Sequence, residues 1–167
     1  ARARHGLVGP YVLYVGTVEP RKNLAGLIEA MALLGRPDVT LVVVGPTGWG
    51  PSLDGAIAGL PSPVARLGHV PAEDLPGLYA GASAFCFPSL EEGFGLPVLE
   101  AMSAGAPVVT SSGTATADVA GDAALLVDPL DRPALADALA RVLDDRATSE
   151  RLRAAGRARA ALHRWDD

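Results

Sequence analysis

Short apolar runs alternate with amphipathic stretches along almost the whole chain. Residues 11–16, YVLYVG, are apolar up to a glycine, which predicts a buried strand. Over 23–34 the residues Leu24, Leu27, Ile28, Met31 and Leu34 share one helical face, with Asn23 as N-cap. The run VTLVVVG over 39–45 predicts a second strand. Residues 46–63 are rich in Gly and Pro, with room for a short helix near 53–59. Further strands are expected at 64–68, 83–87, 107–110 and 123–127. Helices are expected from Glu73 and Asp74 to about Ala80, from Pro97 to Ala104, over 132–144 and over about 149–162. The last carries Arg151, Arg153, Arg157 and Arg159, which read as a solvated charged face.

Strands that are apolar throughout, each followed by a helix, imply a parallel sheet covered on both faces. The expected fold is α/β, a Rossmann-like doubly wound parallel sheet of about six strands, in one domain over 1–167. Such sheets bind ligands beyond the carboxyl ends of their strands. The segments of interest are therefore 16–23, 45–48, 68–71, 88–95 and 110–114, which this topology places on one rim.

Composition narrows the function. Aromatic residues make up 5 % of the chain, which leaves Ala, Val and Leu to build the core. The net charge of −5 argues against a general nucleic-acid binder. The one cysteine, Cys86, reads as a buried strand residue, allows no internal disulfide and fits a reducing compartment. No apolar run reaches the roughly 18–20 residues needed to span a bilayer, and ARARHGLVGP lacks the apolar centre of a signal peptide. His5, His69 and His163 lack metal-ligand spacing. The fourteen basic residues include a single lysine, Lys22, in the loop that follows the first strand.

The segment SLEEGFGLPVLEAM, 89–102, poses a chemical puzzle. Gly93 and Gly95 permit a tight turn, and the helix beginning near Pro97 aims free N–H groups at the same place, which suits an anion. Arg21 and Lys22 lie at the neighbouring strand end and add positive charge suited to a diphosphate. Yet carboxylates flank the turn. A carboxylate accepts hydrogen bonds from paired hydroxyls, so Glu92 before the turn and Glu100 in the first helical turn could each hold a polyol. A nucleoside diphosphate sugar has that layout: hydroxyls, two phosphates, hydroxyls. Each feature alone also has a plain structural reading, as a loop lysine, a turn glycine or a first-turn acid.

GTVEPRKNL, GHVPAEDLPGLYAGASAFCFPSLEEGFGLPVLEAMSAGAPVVTSS and VAGDAALLVDP together resemble the carboxyl-terminal half of a retaining glycosyltransferase of the family 4, or glycosyl transferases group 1, type. The core of the likeness is Glu92, seven residues and Glu100, with GFGLPVLEAM between and after. The resemblance implies one half of a two-domain GT-B fold, the half that binds a nucleotide-sugar donor. It assigns the ribose hydroxyls to Glu100, the transferred sugar to Glu92, and sugar and diphosphate to the backbone of Gly93, Phe94, Gly95 and Leu96. Lys22, with Arg21, takes the diphosphate, near the strand-end residues Gly16, Thr17 and Gly45. His69 and Val70 lie where backbone groups meet the base. Many relatives carry an arginine at the position of Thr17, and Arg21 is the expected substitute.

The resemblance further implies an amino-terminal acceptor domain preceding Ala1, and a closing segment, LHRWDD, that starts back toward it. On that basis this half alone is expected to bind donor weakly and transfer nothing. The intact enzyme would move a hexose such as mannose or glucose to an acceptor hydroxyl in polysaccharide or glycoconjugate synthesis, with no metal and no cofactor. Its expected place is the cytoplasm, or the inner face of the membrane through the other domain. Two alternatives stay open: a non-catalytic sugar-nucleotide-binding module, and a nucleotide-sugar epimerase of the same architecture. A dehydrogenase is disfavoured because the first strand lacks a G-x-G-x-x-G turn.

Overall fold

Each apolar run resolves into two faces once its strand is paired. In the computed structural model, which describes residues 1–163, β1 (Tyr11–Val15) sends Tyr11 and Leu13 to one side of the sheet and Val12 and Tyr14 to the other. β4 (Ala84–Phe87) does the same with Phe85 and Phe87 against Ala84 and Cys86. With β2 (Thr40–Val44), β3 (Val64–Gly68), β5 (Val108–Ser111) and β6 (Leu125–Val127) they form a six-stranded, all-parallel sheet in the order β3-β2-β1-β4-β5-β6. A strand buried on both faces has no polar face to alternate, which is why the runs are continuous.

One face is covered by α1 (Leu24–Leu34) and α6 (Arg132–Asp144), the other by α3 (Leu75–Gly81), α4 (Leu96–Ser103) and α5 (Ala115–Ala120). α7 (Arg146–Ala161) packs outside α4, and the short α2 (Asp54–Ala58) sits beside α1. The Rossmann-like reading holds. α5 was not among the expected helices, because its six residues carry too few apolar positions to show a period. α7 begins three residues earlier than expected, where Asp145 caps it by accepting from Ala147 N.

One expectation about composition needs correcting. The core is not built from Ala, Val and Leu alone: Tyr11, Tyr14, Tyr79, Phe85 and Phe87 are all fully buried. Phe85 meets Tyr79 edge-on at 5.2 Å and stacks on Phe87 at 6.0 Å. The few aromatics are thus concentrated where each buried ring contributes about 1.5–3 kcal/mol. Tyr11 donates to Leu78 O, and burial pushes its hydroxyl pKa up to about 12. Cys86 is buried, and burial raises its thiol pKa well above the ordinary range.

The arginines of α7 are not a uniformly solvated face. Arg153 donates to Gly105 O at 2.8 Å and Ala82 O at 3.0 Å. Arg159 donates to Val119 O and Asp118 O, both at 2.8 Å. The guanidinium of Arg157 lies against Gly105, where a Cβ would come within 2.4 Å of Nη2. These carbonyls belong to the carboxyl-terminal ends of α3, α4 and α5, which carry unpaired acceptors and partial negative charge. The arginines therefore pin the outer helix to three inner ones. Arg151 is exposed and, among the described residues, makes no such bond. The amino-terminal segment is tied down similarly, with Arg4 at 2.6 Å and His5 at 2.9 Å from the buried Asp74. Burial works to raise the Asp74 pKa, but His5 and Arg4 outweigh it and hold the carboxyl below its usual range.

Arg153→Met should lower unfolding stability by about 1–3 kcal/mol, whereas Arg151→Met should stay within about 0.5 kcal/mol of wild type. Urea titration of both variants checks this, and equal small effects would show that α7 is held by its apolar face alone.

Candidate functional site

The strand order reverses between β1 and β4, so their exit loops part there and leave a crevice at the carboxyl edge of the sheet. Two hydrogen bonds, with a further polar contact from Ser89, stitch the two loops together across it. Leu90 N donates to Arg21 O at 2.8 Å, Ser89 Oγ lies 3.2 Å from Arg21 O, and Asn23 Nδ2 donates to Pro88 O at 2.9 Å. Asn23 occupies the N-cap position of α1, but its side chain does not cap the helix. It bonds instead to Pro88 O and, at 3.0 Å, to Pro129 O. Asn23 is 4 % exposed and left-handed, with φ of 60°, a conformation asparagine tolerates better than most residues.

Lys22 closes the crevice from the β1 side. Its Nζ lies 2.7 Å from Glu92 Oε2 and 5.2 Å from the centre of the Phe87 ring. Both members of the ion pair are 12 % exposed. The Ser89 hydroxyl lies 3.1 Å from the same Glu92 oxygen, and Ser111 Oγ holds Ser89 O at 2.6 Å. Arg21 is turned elsewhere: its side chain is half exposed and stands beside Glu19. Its backbone, not its guanidinium, joins the stitch. Tyr14 lies beneath, and burial, then Glu19, then Glu92 push its hydroxyl pKa far up, so it stays protonated.

The bend before α4 is built by Gly95, at φ of 91°, where a Cβ would come 2.7 Å from Thr116 Cγ2. Any other residue there would have to displace Thr116 of α5. Gly93 differs, because a Cβ at that position would meet open space. Among the described residues nothing accepts from the N–H groups of Gly93, Phe94, Gly95 or Leu96. Four unpartnered amides at a helix amino terminus are an anion site in waiting. Gly16 and Gly45 bring the β1 and β2 exits together: a Cβ on Gly45 would lie 2.1 Å from Gly16 O. Thr17 presents its carbonyl to Tyr14 OH at 3.2 Å.

Glu100 stands on the exposed face of α4 with Leu96 and Ser103, while Val98, Leu99, Ala101 and Met102 face the core. It sits in the second turn rather than the first, about 6 Å along the axis from Leu96. It accepts from Tyr79 OH at 3.0 Å. Burial, then the Glu100 charge, push the Tyr79 pKa far up and keep that hydroxyl a donor. Glu100 and Tyr79 border a groove of about 530 Å³ between α3, α4 and the end of α7, reaching Leu75 and His163. That volume suits a small molecule. Phe94 is 45 % exposed and meets His163 edge-on at 6.4 Å. The Val70 side chain is buried in the core, which leaves its backbone for the rim, and His69 is exposed.

The rim thus holds an ion pair at the switch point, a bend of free amides next to it, and an acid-bordered groove along α4. The direct Lys22–Glu92 contact and the contributions of Ser89, Tyr79 and Asn23 were not foreseen. They depend on which elements are neighbours in space: the exits of β1 and β4 for Lys22, Glu92, Ser89 and Asn23, and α3 beside α4 for Tyr79. Among the described residues no group of three or more His, Cys, Asp or Glu could hold a metal ion, and no helix is long and apolar enough to cross a membrane. The closing segment LHRWDD falls mostly outside the described residues.

Comparison with known proteins gives concordant matches. The family described as "Glycosyl transferases group 1" matches residues 3–159. O-antigen chain mannosyltransferase B of Escherichia coli is 43 % identical over 166 residues, covering 94 % of this chain and 43 % of that protein. Sucrose-phosphate synthase of Thermosynechococcus elongatus superposes with a TM-score of 0.83 at 32 % identity, over 96 % of this chain and 43 % of that one. Anabaena HepE, solved in complex with UDP-glucose, superposes with a TM-score of 0.86 at 26 % identity, over 96 % of this chain and 46 % of that one. The chain therefore spans less than half the length of these relatives. The structural neighbours are GT-B glycosyltransferases.

Asn23→Gly keeps the left-handed backbone open but deletes both bonds to Pro88 O and Pro129 O. It should cost about 1–3 kcal/mol in denaturant unfolding. A neutral result would mean that the other rim contacts hold the crevice without it.

Proposed function

This chain belongs to the glycosyl transferases group 1 family, and we propose that it is the half of a retaining glycosyltransferase that binds a nucleoside diphosphate sugar. The observation that carries the reading is the meeting of Lys22 and Glu92 beside four unpartnered amides at the switch point. An ammonium and free N–H groups suit a diphosphate, and an adjacent carboxylate suits the hydroxyls of the sugar it carries. Glu100, bordering the groove, takes the ribose hydroxyls, and the backbone at His69 and Val70 meets the base. The donor complex named for HepE is consistent with such a ligand.

In this reading the leaving diphosphate gathers negative charge as the glycosidic bond breaks. Lys22 and the amides of Gly93, Phe94, Gly95 and Leu96 are positioned to stabilise it, which is electrostatic catalysis. Arg21, paired with Glu19 in the ligand-free chain, adds positive charge at the diphosphate only on leaving that partner. Glu92 orients the sugar, and an acceptor hydroxyl attacks from the leaving-group side with retention, its proton passing to the departing phosphate oxygen as the bond from that oxygen to the anomeric carbon breaks. Gly16, Thr17 and Gly45 shape the floor. No cofactor or metal is part of the reaction as proposed. The acceptor belongs to an amino-terminal domain of the intact enzyme, and the mannosyltransferase relative favours a hexose. The cytoplasm, where sugar nucleotides are made, is the proposed compartment.

Titration calorimetry with UDP, UDP-glucose, GDP and GDP-mannose tests this. One nucleotide pair should bind with high-micromolar to millimolar affinity, because one wall of the cleft belongs to the other domain. Lys22→Ala and Glu100→Ala should each weaken donor binding by about tenfold or more, and Arg151→Ala should not change it. No binding at millimolar concentration, or equal effects from all three, would contradict the site.

A further inference from the structure

In the ligand-free chain the lysine assigned to the diphosphate is already engaged. Lys22 Nζ lies 2.7 Å from Glu92 Oε2, and both side chains are largely shielded from water, at 12 % exposure each. Glu92 is itself held in place. The hydroxyl of Ser89, fully buried, lies 3.1 Å from the same oxygen and shares its one proton with Glu91 O at 2.9 Å and Arg21 O at 3.2 Å, while Ser111 on β5 fixes the Ser89 carbonyl at 2.6 Å. The acid is therefore not a loose side chain that swings away without cost. Breaking a shielded pair leaves its remaining charge uncompensated unless a new partner arrives.

We infer that Glu92 sets the preference of this site for a sugar-bearing donor over the bare nucleoside diphosphate, by competing with the diphosphate for Lys22. The inference rests on the donor-site reading above. A diphosphate settling on the α4 amides draws the Lys22 ammonium toward itself and brings negative charge close to Glu92. With a sugar attached, hydroxyls donate to Glu92 and take over from the ammonium. Without one, Glu92 loses its cation and gains nothing. The same exchange runs in reverse after transfer. When the sugar leaves for the acceptor, its hydroxyls leave Glu92, Lys22 returns to the acid, and the nucleoside diphosphate is released. Glu92 is thus a selectivity residue whose charge opposes product binding, in addition to any contact it makes with the sugar.

The test uses the 167-residue chain with two ligand pairs, UDP with UDP-glucose and GDP with GDP-mannose, and takes the pair that wild type binds. Glu92→Gln keeps the shape of the side chain and removes its charge, and Glu92→Ala is measured in parallel. Both variants should still unfold cooperatively, at a lower midpoint than wild type because Lys22 is left without its partner. Each should bind the bare nucleoside diphosphate about three- to tenfold more tightly than wild type does, the scale of one partly shielded charge. The affinity for the sugar nucleotide should stay level or fall, so the donor-over-product ratio collapses. In Lys22→Ala the same Glu92 substitution should give a smaller tightening, because the competition runs through the lysine. Unchanged or weaker binding of the bare diphosphate in folded variants overturns the proposal. So does an undiminished effect without Lys22, or loss of folding in both variants, which would make the pair structural. Failure of wild type to bind either pair removes the donor-site reading itself, a different result from a wild type that binds and variants that do not respond.

Discussion

Everything at the rim depends on holding two divergent loops together where the sheet reverses direction. The β1 loop turns toward the α1 face and the β4 loop toward the α4 face, so nothing in the strands themselves keeps their ends in contact. Asn23 does much of this work. From a left-handed backbone it reaches the carbonyls of Pro88 and Pro129, which follow β4 and β6. Its side chain lies directly over Gly26, where a Cβ would come within 2.5 Å. Small residue, strained backbone and two distant carbonyls form one unit. With that unit in place, Lys22 is delivered to Glu92 across seventy residues of sequence.

The charges follow from the same geometry. An acid beside an anion-binding bend appears self-defeating only if the ligand is a lone phosphate. The site instead pairs opposite charges when empty and offers separate partners for phosphate and hydroxyl when filled. Glu100 repeats the arrangement one turn into α4, where Tyr79 satisfies it from a protonated phenol. An unpaired Glu92 in its shielded place would oppose folding, whereas Glu100 stays open to water. Their present partners, an ammonium and a phenol, are of the kinds that ligand groups can replace.

The sheet was legible because strands buried on both faces announce themselves as unbroken apolar runs ending in glycine. The rim was legible for a related reason: parallel topology sends every strand exit to one edge, so Lys22, Gly95 and Glu92 could be grouped before their distances were known. What could not be read depends on partners far apart in sequence. Arg153 and Arg159 look like any surface arginines until the ends of α3, α4 and α5 come beneath them. Asn23 reads as a helix cap, which is the local role asparagine most often plays, and tertiary carbonyls outbid the local ones. α5 was too short for periodicity to reveal. Arg21 was grouped with Lys22 by adjacency alone, yet successive residues in a 3₁₀ turn point in different directions, and its guanidinium goes to Glu19.

Because the chain contains one lysine, selective ¹⁵N-lysine labelling reports on the centre of the site without ambiguity. A single backbone amide resonance and a single ammonium resonance should appear, both from Lys22. Titration with the bound sugar nucleotide should shift both in proportion to the occupancy measured by calorimetry. Saturating binding with both signals unmoved would place the ligand elsewhere and contradict the account.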